Sequence, residues 1–172
     1  AFFSCTSLRW VKIGDSVTNI GDNAFSSCRR LARITIPDSV TNIGDGAFAN
    51  CVLLNSVEMG NGVTNIGDHA FSGCRSLTSI SISDNATNIG DRAFYNCISL
   101  TSIKLPNSVT RIGGLAYFNC MKLRHITISD SVTSIGDGAF FYCEELVGIT
   151  FEGTAQHWLS ITKGINWDIY TG

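Results

Sequence analysis

Charged residues are scarce in this chain. They make up 15% of it, below the usual quarter, and the formal net charge is −2. That balance offers no footprint for nucleic acid and none for an anionic bilayer. No uninterrupted apolar run approaches the roughly 20 residues of a membrane span, so insertion into a membrane is not expected. There is no Cys-x-x-Cys pair, the usual sign of a zinc site. An initiator methionine and a signal peptide are also missing. The chain opens on Ala1-Phe2-Phe3-Ser4-Cys5, the middle of a repeating unit, and is expected to be cut from something longer.

Repetition is what the sequence has in abundance. Cys5, Cys28, Cys51, Cys74, Cys97, Cys120 and Cys143 each follow the last by 23 residues. Three further columns keep the same step. They are Ala1 to Ala139, Phe2 to Phe140 (with Tyr117 in sixth place) and Leu8 to Leu146. A fourth runs from Ile20 to Ile135, with Trp158 in the next place. In Leu8-x-x-Val11-x-Ile13 the last two apolar residues are two apart, the spacing of a strand. In Ala24-Phe25-x-x-Cys28-x-x-Leu31 the steps are those of a helix, which predicts a short helical or 3-10 segment. Strands such as Arg33–Ile36 and Ser56–Met59 then stack in parallel, and Val17–Ile20 forms a second short strand on the opposite wall.

Asp15-Ser16, Asp38-Ser39 and their copies mark turns. The two prolines, Pro37 and Pro106, follow strands, where a missing N–H does least harm. Asp22, Asp45, Asp68, Asp91 and Asp137 stand where each could cap a helix, and Gly114 loses that cap. One turn cannot bury its own apolar side chains, so stability must come from interfaces between neighbouring turns.

The words Ile36-Pro37-Asp38-Ser39-Val40-Thr41-Asn42-Ile43-Gly44-Asp45-Gly46-Ala47-Phe48-Ala49-Asn50-Cys51 resemble the BspA-like leucine-rich repeats. The resemblance covers residues 1 to about 151. It implies an α/β repeat solenoid, a right-handed leucine-rich-repeat superhelix with a parallel β-sheet on its inner wall and short helical or 3-10 segments. It also implies a secreted or cell-surface setting, with adhesion to host or microbial surface molecules. It carries over no catalytic residue and no cofactor. Seven turns are expected over residues 1–151, the first truncated, and a C-terminal cap over 152–172. Trp158, Leu159, Ile161, Ile165 and Trp167 are expected to cover the last turn's core.

The cysteines stand at one depth with side chains pointing the same way. That favours a ladder of buried free thiols over disulfides or a metal site. Helix capping explains the aspartate column without calcium. His69, His125 and His157 fall in different columns, and no nucleophile elbow accompanies them, so no enzymatic activity is expected. Asn85-Ala86-Thr87 is a formal glycosylation sequon.

The variable positions remain. One outward column on the inner wall is Trp10, Arg33, Ser56, Ser79, Ser102, His125 and Gly148. The other is Lys12, Thr35, Glu58, Ser81, Lys104, Thr127 and Thr150. Two readings fit: exposed positions that drift freely, or a contact face using Trp10, Lys12, Arg33, Glu58, Lys104 and His125. The functional expectation is a non-catalytic binding module whose partner is a protein or glycan on a host or microbial surface. A carbohydrate-binding module and a structural spacer are the alternatives.

Overall fold

The computed structural model describes residues 1–168. Short and long strands alternate along the chain as β1 (Asn19–Ile20), β2 (Arg33–Ile36), β3 (Asn42–Ile43), β4 (Ser56–Met59), β5 (Asn65–Ile66), β6 (Ser79–Ile80) and β7 (Asn88–Ile89). They continue as β8 (Ser102–Lys104), β9 (Arg111–Ile112), β10 (His125–Ile128), β11 (Ser134–Ile135) and β12 (Gly148–Phe151). A single helix among the described residues, α1 (Ala155–Ser160), precedes β13 (Thr162–Lys163). All pairings are parallel, so the chain is a β-solenoid. The short strands form one continuous seven-stranded sheet. The longer strands form the opposite wall, which divides between β6 and β8 into two three-stranded sheets. Around Val11 and Ile13 the predicted strand does not join a ladder.

The Ala-Phe-x-x-Cys segments build a third wall, and here the structure corrects the sequence reading. They are consecutive turns with no helix. In each, N–H groups alternate between a bond three residues back and a bond to the next turn. Ala24 N donates to Gly21 O and Cys28 N to Phe25 O, while Phe25 N donates to Ala47 O and Ser27 N to Ala49 O. This alternation needs a left-handed residue in two places per turn. Asn23 and Ser27 have φ of 53° and 61°, and Gly46 and Asn50 repeat the pattern at 62° and 58°. The helical spacing of apolar residues is thus a property of a tight corner that turns its Phe and Cys inward.

The aspartates serve that corner in a way that capping does not describe. Asp22 Oδ1 accepts the N–H of Asp45 at 2.9 Å, Asp45 that of Asp68 at 2.9 Å and Asp68 that of Asp91 at 2.7 Å. Each carboxylate therefore ties one turn to the next. Gly114 donates to Asp91 Oδ1 at 2.9 Å but has no side chain to pass the bond on. Its cost is a missing inter-turn tie, not a missing helix cap.

Inside, each side chain meets its own copy. The rings of Phe48, Phe71 and Phe94 stack with centroids 5.3 and 5.4 Å apart and planes within 8° of parallel. Asn42 Nδ2 donates to Asn19 Oδ1 at 2.7 Å and Asn65 Nδ2 to Asn42 Oδ1 at 2.8 Å, an amide ladder along the short-strand wall. Tyr117 stands in the phenylalanine column, fully buried, and its hydroxyl has no hydrogen-bond partner. A buried hydroxyl left unpaired costs about 1–3 kcal/mol. Tyr117→Phe should therefore raise stability by about that amount, read as a melting temperature several degrees higher. An unchanged or lower melting temperature would mean that the hydroxyl is satisfied.

At the C-terminal end the register changes. Thr162 pairs with Ser134 and Lys163 with Ile135, so Lys163, not Trp158, occupies the next place in the isoleucine column. Helix α1 takes up the extra residues, and Thr154 Oγ1 caps it by accepting the N–H of His157 at 3.1 Å. Beyond it the chain resumes the third-wall bonding, with Phe140 N donating to Trp167 O at 2.9 Å. Ile161 is buried, and Trp158 and Trp167 pack on the core with ring centroids 5.5 Å apart. Leu159 and Ile165 do not cover the last turn: both are 75% exposed. Lys163 lies 4.6 Å from the centroid of the Trp158 ring. The expected cap extends over 169–172, which lie outside the described residues.

Candidate binding surface

Alternation along the longer strands sorts their residues. In β2 Ile34 and Ile36 are buried while Arg33 and Thr35 are exposed. In β10 Ile126 and Ile128 are buried and His125 is exposed. The inward set repeats from turn to turn and the outward set does not, so the wall displays a changing series of side chains on a constant frame.

The six predicted contact residues are all exposed, but they do not form one row. Trp10, Lys12 and Arg33 come together as three sides of a groove of about 400 Å³, with Asp15, Thr35 and Pro37 completing it. Glu58 lies over the adjoining depression, where its carboxylate accepts a 2.8 Å hydrogen bond from Thr35 Oγ1. Lys104 and His125 belong to the second three-stranded sheet, across the division of the wall. Lys104 is 3.7 Å from Glu152, and the ring of His125 lies over Gly148, where a Cβ would be 3.1 Å from Nδ1.

The third wall holds a feature that sequence reasoning missed. Tyr95 and Phe118 stack with centroids 4.7 Å apart and planes 4° from parallel, next to Asn119 Nδ2 donating to Asn96 Oδ1 at 2.8 Å. The signal was available, because the residue after the Phe or Tyr of that column is Phe3 in the first turn, Ser26, Ala49 and Ser72 in the next three, and Tyr95, Phe118 and Phe141 in the last three.

The thiols form a ladder of their own. Cys51 Sγ donates to Phe25 O at 3.1 Å, Cys74 Sγ to Phe48 O at 3.3 Å, and Cys97 Sγ to Phe71 O at 3.3 Å. All seven are free, six are buried and Cys5 is exposed. Burial pushes Cys51 and Cys143 up to about 12, and holds Cys74, Cys97 and Cys120 well above the ordinary thiol range. Thiolate is the reactive form. A thiol reagent should therefore find about one fast group in the native protein, Cys5, and all seven after denaturation. More than one fast group would place some of the six outside the core. The sign of the pH effect follows. The folded state holds these protons more tightly than the unfolded chain, whose thiols titrate near 9.0. Their contribution is intact below that pH and is lost as pH rises toward 12, so melting temperature should fall on the alkaline side.

Among the described residues no group of three His, Cys, Asp or Glu side chains is placed to hold a metal ion. No helix among them is long and apolar enough to cross a membrane.

The geometry has counterparts among known proteins. A leucine-rich repeat protein of T. pallidum is 33% identical, with a TM-score of 0.79, over 86% of this chain and 67% of that one. A leucine rich cell surface protein from Faecalibacterium prausnitzii A2-165 is 34% identical, with a TM-score of 0.64. That match covers 88% of this chain and 34% of the other, so the present chain spans about a third of that protein. The pneumococcal vaccine antigen PcpA, at 17% identity and a TM-score of 0.55, over 83% of this chain and 50% of that one, shares the fold alone. No curated protein sequence gives a significant match. The BspA type leucine rich repeat region matches residues 1–82 and 64–160 in six copies, and the chain belongs to that family.

Proposed function

We propose that this chain is a non-catalytic binding module of an exported or cell-surface protein, acting in adhesion or protein–protein interaction with host or microbial surface molecules. One observation carries the reading. The outward positions of the long-strand wall, from Trp10 and Arg33 to Lys104 and His125, change from turn to turn above a core that hardly changes. A buried ladder fixes their spacing, and many modest contacts add along it. The likeness to a leucine rich cell surface protein supports the setting. The proposed terminal cap, 152–172, is supported by Trp158, Ile161 and Trp167, which pack against the core.

The test is a binding screen of the chain against matrix proteins and a glycan array, beside a variant carrying Arg33→Ala, Glu58→Ala and Lys104→Ala. A protein hit weakened tenfold or more in the variant is the expected result. A hit that the variant retains would move the contact surface elsewhere. Silence from both panels would sink the adhesion reading in favour of a spacer.

A further inference from the structure

Charge is unevenly spread along the solenoid. Residues 1–36 carry five cations against two carboxylates, and residues 37–172 carry seven against twelve. The five are Arg9, Lys12, Arg29, Arg30 and Arg33. All are exposed, and none forms an ion pair among the described residues. Further along, Lys104, Arg111 and Arg124 are each matched to a carboxylate.

The fold gathers these cations at one corner. Arg9 O accepts the N–H of Ala32 at 3.4 Å, so Arg9 lies beside the residue that precedes Arg33. Trp10 and Arg33 line the same groove. Arg29 and Arg30 stand at the turn between the third wall and that strand, four and three residues before Arg33. The acidic neighbours lie to one side. Asp15 lines the groove from beyond the C-terminal end of segment 11–13, and Asp38 and Glu58 line the next depression. An anionic ligand is thus held off that side and runs from the Arg29–Arg30 corner across Arg9 and Arg33 toward Trp10.

Unpaired guanidinium groups suit oxyanions, whose paired oxygens accept two parallel hydrogen bonds from the fork. Trp10 is 72% exposed and offers a ring face beside them. Alternating anionic groups and flat sugar faces belong to a sulfated polysaccharide. Single-stranded nucleic acid calls instead for a series of aromatic platforms for successive bases, and this corner has one. We propose that the corner of Arg9, Arg29, Arg30 and Arg33 with Trp10 binds a sulfated polysaccharide. This rests on the binding-module reading and names the ligand class for one end of the same wall.

Immobilised heparin and fully desulfated heparin are the probes, with the whole chain titrated over a salt series. Heparin should bind and desulfated heparin should not. Arg29→Ala, Arg30→Ala and Arg33→Ala together should weaken binding at least tenfold. They should also flatten the plot of log affinity against log salt by roughly one unit for each guanidinium removed. Trp10→Ala should weaken binding with the salt slope unchanged, which separates ring stacking from charge. Arg124→Ala, at a paired cation, should bind like the parent. Absence of heparin binding, or equal binding to poly-glutamate or single-stranded DNA, would overturn the proposal. The two readings fail separately. A protein hit abolished by Glu58→Ala or Lys104→Ala, without heparin binding, sinks only the polysaccharide, and silence everywhere sinks both.

Discussion

Phe71→Ala should cost about 3–5 kcal/mol, as truncations of buried aromatics do. The ring is wholly buried and stacked on both faces, 5.3 Å from Phe48 and 5.4 Å from Phe94. Its removal opens a cavity between two turns that are held apart by their own backbone hydrogen bonds. Phe48 N donates to Ala70 O and Phe71 N to Ala93 O, both at 2.8 Å, so the turns cannot close on the gap. In a solenoid the loss falls on the two interfaces that the ring shares. For a chain of this size that is a fall in melting temperature on the order of 10 °C. Phe2→Ala is the comparison, because Phe2 is 44% exposed and stacks only on Phe25, and it should cost much less. Circular dichroism melts of the two variants give the answer. Equal effects, or a negligible one at Phe71, would contradict the inward stack.

Gly90→Ala should be nearly as damaging for the opposite reason, since it adds an atom where none fits. A Cβ on Gly90 would lie 2.5 Å from the carbonyl carbon of Gly67 and 2.7 Å from the amide nitrogen of Asp68. Those are backbone atoms of the preceding turn, locked in place by the bond from Gly90 N to Ile66 O at 2.9 Å. No rotamer relieves the clash, so the turns must separate at that corner. Overpacking costs about 1–3 kcal/mol and more where nothing can yield, and the upper end is expected here. Gly21 occupies the same column in the first described turn, where a Cβ would meet nothing within 4 Å. Gly21→Ala should thus lie within about 0.5 kcal/mol of the parent. Comparable losses at both positions would mean that the glycine serves the turn itself and not its neighbour.

Much of this architecture was legible from spacing alone. A step of 23 residues in several columns forces identical side chains into register, and the buried columns of Phe, Cys, Leu and Ile follow directly. The four-residue strand over Arg33–Ile36 was readable from two-residue alternation, and the short strand Asn19–Ile20 falls within the expected Val17–Ile20. The Ala-Phe-x-x-Cys segment was not. Apolar steps of three and four residues arise in a helix, but also in a corner with a left-handed residue at each end, and periodicity does not separate the two. The residues that could have warned of it, Asn50, His69, Arg92 and Leu115, are not glycines, yet all have φ between 55° and 58°. The tail misled for a simpler reason. Counting 23 residues from Ile135 lands on Trp158, and only the structure shows that helix α1 shifts the register to Lys163. For the surface, sequence identified exposed positions correctly at Arg33 and His125. It could not foresee that Trp10, Lys12 and Arg33 share a groove while Lys104 and His125 stand across a break in the wall.

The ties between turns all run along the solenoid axis: backbone bonds of the sheets, the amide ladder from Asn19 to Asn88, and the aspartate relay from Asp22 to Asp91. A tensile load on the two chain ends therefore opens them as a zipper opens, one tooth row at a time. Each row released frees 23 residues, and at up to about 3.5 Å per residue that is slack on the order of 80 Å. A chain so wound yields to a pull in steps and lengthens many times over before its final turn gives way.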